Sequence, residues 1–284
     1  MTSQTAQPPA PAPAPLSLIP RLAPGSSSDH MTRLNLSLAL LMAASFLVFL
    51  PAMIIDPRVL DSAGVWVKPQ KFNISLALHF FTIAVLAQQV PREVRNGPTL
   101  ILFSYIGGFS LLFEYVWVGL QAAQAKRSHF NFDSEFEGLM YLGMGIAAVG
   151  LMTIAMALAV QIWRKGDRTR FGLWLGSIVG LTLAFFSTLY FGFEMSSTSR
   201  YVGAPLEGGG AVVPFFGWSR EYGDLRPAHF VSLHLMQTLP FAGWLADRQS
   251  WNAMWMVGGF AALQLALATA LLFQAKAGQP FWPV

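Results

Sequence analysis

The chain contains no cysteine. Disulfides, thiolate nucleophiles, Cys-bound metals and iron–sulfur clusters are therefore excluded, and any metal would need His, carboxylate, Met or hydroxyl ligands. Charge is scarce too: Asp, Glu, Lys and Arg make up 11% of the residues, against about 25% in soluble domains. The formal net charge is only +4 and no basic run interleaves with aromatics, so nucleic acid is not an expected partner. No Gly-Lys-Ser/Thr phosphate loop is present, no apolar stretch carries a central Lys for a retinal Schiff base, and no internal repeat stands out.

What the chain has instead is apolar length. Hydrophobic residues make up 54% of it, and the mean hydropathy is +0.48. Seven apolar stretches, at 35–55, 72–90, 98–120, 136–163, 171–193, 229–246 and 251–276, are separated by polar linkers. A helix crosses a bilayer with about 20 residues. The expected fold is therefore all-α: a polytopic integral membrane protein with seven transmembrane helices in one bundle, spanning 31–284, in contact with the lipid bilayer. Residues 1–30, with a PPAPAPAP run at 8–15, are expected to form a disordered or polyproline-like tail. That tail lacks the compact basic start and prompt apolar core of a secretory signal.

Lys and Arg divide evenly between the two sides, so their totals decide nothing about orientation. The densest short basic linker, 164–170, lies on the same side as 91–97. The positive-inside rule then puts these linkers and the N-terminus in the cytoplasm and the C-terminus outside, as in a bacterial inner-membrane protein.

Topology gathers polar residues from separate spans near the outer face. At 1.5 Å per residue, His79 lies about 10 Å in, Glu114 about 9 Å below the end of its span, and His234 about 8 Å below His229. Glu114 is the sharpest of them, because a carboxylate inside a span costs on the order of 3 kcal/mol or more. It shares a helical face with Ser110, Trp117 and Gln121. Its functional role would be catalytic or proton-handling; the plain alternative is a protonated Glu bonded to a neighbouring helix. For His79 the plain alternative is a ring satisfied by a backbone carbonyl. His229 and His234 are five residues apart, about 140° around a helix. A chelate from one straight helix wants a spacing of three or four, so His234 is expected to face inward with Gln237. Pro240 would free the Met236 carbonyl one turn earlier.

Trp66, Lys68, Pro69 and Lys71 read first as interfacial anchors, and second as a clamp for an anion. His129 reads as a linker residue. The long 194–228 segment has the length of a lid or binding loop.

Three functions remain open. His79 and His234 could ligate a b-type haem axially in a redox protein. A divalent metal held by His79, His229, His234 and Glu114 would instead suit hydrolysis of lipid-like substrates, with Glu114 catalytic. For this second reading, Ser75-xxx-His79 followed by His229-xxxx-His234 resembles the alkaline-ceramidase family of membrane hydrolases, which implies a zinc site. That family's later pair is spaced His-xxx-His, and its acid is an Asp nearer the first His. The third reading is a non-enzymatic carrier of a small hydrophobic substrate or of protons, or a subunit docked on a membrane-protein partner.

Overall fold

The computed structural model describes residues 29–197, 199–204 and 210–283. The expected tail at 1–30 lies outside these except for its last two residues. The helices are α1 (His30–Ile55), α2 (Val67–Leu86, continued by a 3-10 turn, Ala87–Gln89), α3 (Arg92–Arg95) and α4 (Pro98–Ala123). After these come α5 (Glu135–Lys165), α6 (Phe171–Ser197), α7 (Arg226–Leu233), α8 (Leu235–Gln249) and α9 (Ala253–Lys276). Two small antiparallel hairpins, β1 (Val59–Leu60) with β2 (Ala63–Gly64) and β3 (Tyr201–Val202) with β4 (Gly223–Asp224), decorate one end.

Among the described residues six helices are long and apolar enough to cross a membrane: α1, α2 with its 3-10 turn, α4, α5, α6 and α9. The all-α, polytopic expectation holds, but the count of seven is corrected to six continuous spans. The stretch expected at 229–246 is two short helices that meet at His234. Gln264 of α9 explains how the break is tolerated. Its Nε2 donates to the Val231 carbonyl (2.7 Å), and its Oε1 accepts from the Thr238 hydroxyl. The carbonyl that a continuous helix would bond internally is thus satisfied from outside. Gln264→Leu is expected to destabilise the protein by about 1–3 kcal/mol, the cost of an orphaned buried carbonyl. Thermal melting in detergent would read this, together with faster hydrogen exchange in α7.

The α7–α8 pair returns along α6. His229 lies beside Gly192, Leu235 beside Gly180, Leu239 beside Gly176, and Gly243 with Asp247 beside Gly172. A Cβ at Gly172, Gly176 or Gly243 would collide with backbone of the facing helix, so the two backbones touch along a small-residue seam. Asp247 then accepts the Gly172 and Leu173 N–H groups (2.7 and 2.8 Å), satisfying donors at the start of α6.

These contacts sort the linkers into two ends. Asp29 pairs with Arg95, and the Asp167 N–H bonds the Gln89 carbonyl. Together with the Asp247–Gly172 contact, they put the start of α1 at one end with 91–97, 166–171 and 247–252. Asp61 pairs with Arg127 and Arg200, and Lys276 with Glu194. The C-terminal segment therefore lies at the opposite end, with 56–66, 124–134, 199–204 and 210–225. Of the spans, α2 is the most enclosed, with 56% of its apolar window buried against 17% for α1. Leu40, Leu47, Val48 and Ile54 of α1 are exposed, a face suited to lipid. A site inside the bundle would therefore be carried by α2.

That helix starts at Val67, five residues before the expected boundary at 72, because Lys68–Lys71 continue it. His79 is thus roughly 18 Å along the helix at 1.5 Å per residue, deeper than expected.

Candidate functional site

The C-terminal end of the bundle is organised around Asp61. Asp61 and Ser62 form the β1–β2 turn with φ of 51° and 64°. Tight hairpins need positive values at both central positions, a place usually taken by Asn or Gly. Asp61 is held there by its carboxylate, which accepts Arg127 Nε (3.1 Å) and Nη2 (2.6 Å) and also Arg200. Burial alone would raise its pKa, but the hydrogen bonds from Arg127 and Arg200 outweigh it and hold Asp61 below its usual value.

Arg127 belongs to a linker that α4 grips by its carbonyls. Trp117 Nε1 donates to Ser128 O and Gln121 Nε2 to Arg127 O, both at 3.0 Å. The expected face of Ser110, Glu114, Trp117 and Gln121 is buried throughout. Its upper two members hold the linker, and Glu114 lies about two turns below Gln121. The linker in turn delivers His129 to α2, where Lys68 Nζ donates to His129 Nδ1 at 3.1 Å. With Lys68 as the donor, Nδ1 accepts and the imidazole is neutral with its proton on Nε2.

Burial first, then the charges of Lys68 and Arg200, push the His129 pKa well below its usual value. The unfolded chain takes up that proton near pH 6.5, whereas the folded chain does so only at lower pH. Stability contributed by neutral His129 is therefore complete above about pH 6.5 and declines on acidification, with a slope approaching 1.4 kcal/mol per pH unit. His129→Gln should reduce the slope of the melting temperature between about pH 6.5 and 5 by the share of one group. An unchanged slope would contradict this placement of the ring.

Lys68 and His129 are each half-buried at this end of the bundle. Glu114, on the neighbouring α4, is within reach of the Lys68 charge. It is 2% exposed and makes no hydrogen bond to any described residue. The charge acting on it is Lys68, beyond ion-pair contact. On the other flank, Lys71 Nζ donates to Phe216 O at 2.8 Å. Arg226 binds Asp224 (Nη2–Oδ2 2.6 Å), Gly217 O (2.6 Å) and the Tyr201 hydroxyl (3.0 Å). Both Arg200 and Arg226 lie over the Tyr201 ring, at 4.9 and 5.1 Å. The 211–225 loop is thereby fastened to α2 and α7. Its Phe216 and Trp218 (ring centroids 4.4 Å apart) meet Phe230, which meets His234 at 4.3 Å.

The remaining expected residues lie deeper or elsewhere. His234 Nδ1 is 3.1 Å from Gln237 Oε1, and Gln237 Nε2 donates to Thr82 Oγ1 at 3.2 Å. This chain reaches α2 one turn beyond His79. His79 itself is buried edge-on to Phe80 and near the Leu151 carbonyl of α5, with Nε2 lacking a partner. His229 faces α6 at Thr188 and Gly192, and its Nδ1 is likewise without a partner. Among the described residues no group of three or more His, Asp or Glu is placed to hold a metal ion. His79, His229, His234 and Glu114 are therefore not placed as such a group. Glu114 is accompanied instead by Lys68 and His129, which sequence reasoning had read as an anchor and a linker residue. A signal was present: two cations three residues apart opening the most polar of the apolar stretches.

The fold thus defines a polytopic helical membrane protein with a cluster of charged and polar side chains at its C-terminal end. No protein-family model, curated protein or solved structure matches the chain. The likeness to alkaline ceramidases remains confined to Ser75, His79, His229 and His234.

Proposed function

We propose that the chain is a non-enzymatic, proton-linked membrane carrier whose chamber is formed by Glu114, Lys68 and His129. The observation that carries this reading is the setting of Glu114, a carboxyl 2% exposed with no hydrogen-bonding partner among the described residues. A charge so placed is costly, and groups of this kind serve to exchange protons. Polar groups continue along α2 toward the other end of the bundle. His79 comes first, then Thr82 with Gln237 and His234, then Gln89, whose Nε2 donates to Ser177 Oγ at 2.8 Å. His79 and His234 act as relay groups in this scheme. The haem and zinc readings lack a comparable supporting feature. The basic linkers at 91–97 and 164–170 favour a cytoplasmic N-terminus.

Proteoliposomes with an entrapped pH-sensitive dye provide the test. Under an imposed pH gradient the wild-type protein should carry protons, and Glu114→Gln should abolish the flux while eluting as a folded species. His79→Ala should slow it. Wild-type flux in Glu114→Gln would refute the reading.

A further inference from the structure

Lys68 and Lys71 differ from most cations at this end of the bundle. Arg58, Lys126, Arg127, Arg200, Arg226 and Lys276 each contact a carboxylate. Neither lysine does so among the described residues. Lys68 bonds a neutral imidazole, and Lys71 bonds a carbonyl. Both also feel each other or the neighbouring guanidiniums: Arg200, Lys71 and Arg226 act on Lys68, and Arg226 and Arg200 on Lys71. The opposing acids are Glu114, which is out of ion-pair contact with Lys68, and Asp224, already taken by Arg226. Among the described residues both amines thus lack a paired acid, and an amine so placed is held as a cation most readily when an anion joins it. Beside them stands an apolar wall of Phe216, Trp218 and Phe230.

We infer that this chamber binds an amphiphilic organic anion, its carboxylate or phosphate head between Lys68 and Lys71 and its apolar body against Phe216, Trp218 and Phe230. Lysine ammonium groups donate to both head types. The loop at 211–225 covers the bound molecule, because the Lys71 bond to Phe216 O and the Arg226 bond to Gly217 O fasten its tip. The inference rests on the chamber described above and supplies the class of molecule it takes. A membrane lipid headgroup and a free amphiphile share this chemistry.

Full-length protein in a neutral detergent would be melted with octyl phosphate and octanoate, and with inorganic phosphate, octanol and octylammonium as controls. The two amphiphilic anions should raise the melting temperature saturably, and the controls should not. Lys68→Gln and Lys71→Gln should each weaken the response, Lys71→Arg should largely restore it, and Arg164→Gln at the far end should leave it intact. No shift with either anion, or an undiminished shift in both glutamine variants, would overturn the inference. An equal shift from inorganic phosphate would overturn its apolar half. If a glutamine variant does not fold, the octylammonium and octanol comparison still decides on the wild type.

Repeating the titration in nanodiscs separates the sources. Suppression by phosphatidylglycerol relative to phosphatidylcholine identifies a lipid headgroup, and an equal response identifies a free amphiphile. Lys71→Gln should weaken the anion response while keeping the proton flux. Loss of anion binding alone would sink this inference, and loss of flux dependence alone would sink the carrier reading.

Discussion

Gly176→Leu should yield no monodisperse protein from detergent extracts, whereas Gly145→Ala should behave like the wild type. A Cβ at Gly176 meets the Leu239 carbonyl and Pro240 Cα, while a Cβ at Gly145 meets nothing within 4 Å. Overpacking typically costs 1–3 kcal/mol, and more where only backbone could yield. Here α6 and α8 would have to part along their whole seam, since Gly172 and Gly243 are mutually in contact. Against a total margin of about 5–15 kcal/mol, that separation consumes most of the stability. Gly145→Ala removes a flexible residue from an open helical surface and should be neutral or stabilising by up to about 1 kcal/mol. Size-exclusion profiles and thermal melts of the two variants test the contrast. A folded Gly176→Leu protein would show that the seam is not tight.

Asp61→Asn should lower stability by about 2 kcal/mol, a buried-pair effect discounted because Arg127 is 37% exposed. Arg200 would lose its acid, and the strained turn its clamp. The acid limb of the stability profile should change as well. The Asp61 pKa is depressed in the fold, so its contribution is complete above the unfolded value of about 3.9 and is lost as pH falls below it. Melts from neutral pH down to about pH 3 should show this loss in the wild type and its absence in Asp61→Asn. The window is distinct from that of His129, which opens nearer pH 6.5. A wild-type profile flat in acid would contradict the assigned role of Asp61.

The long helices were legible because apolar length is a property of the sequence alone. The face from Ser110 to Gln121 was legible for a related reason: it lies on one uninterrupted helix, where spacing fixes direction. Two other features depend on partners distant in sequence. The break at His234 rests on Gln264, thirty residues later, which rescues a carbonyl that local sequence leaves paired. The company of Glu114 rests on where the 124–134 linker folds, and that is set by Trp117, Gln121 and Asp61 together. The Gly172, Gly176 and Gly180 stripe, by contrast, stood in plain view as a four-residue repeat. It went unused because a small-residue stripe shows that two helices touch without saying which two.

The split between α7 and α8 also sets how often the chamber can open. With α8 fixed against α6, any swing of the 211–225 loop that carries α7 must first release Gln264 from Val231. One buried amide contact costs on the order of 1–3 kcal/mol to break. By the Boltzmann relation this contact alone keeps the open fraction below roughly one molecule in six, and the packing of α7 with Phe191 and Leu271 lowers it further. Exchange with the membrane would then be limited by the lifetime of a minority state, and substitutions at Gln264 would tune occupancy without touching the chamber.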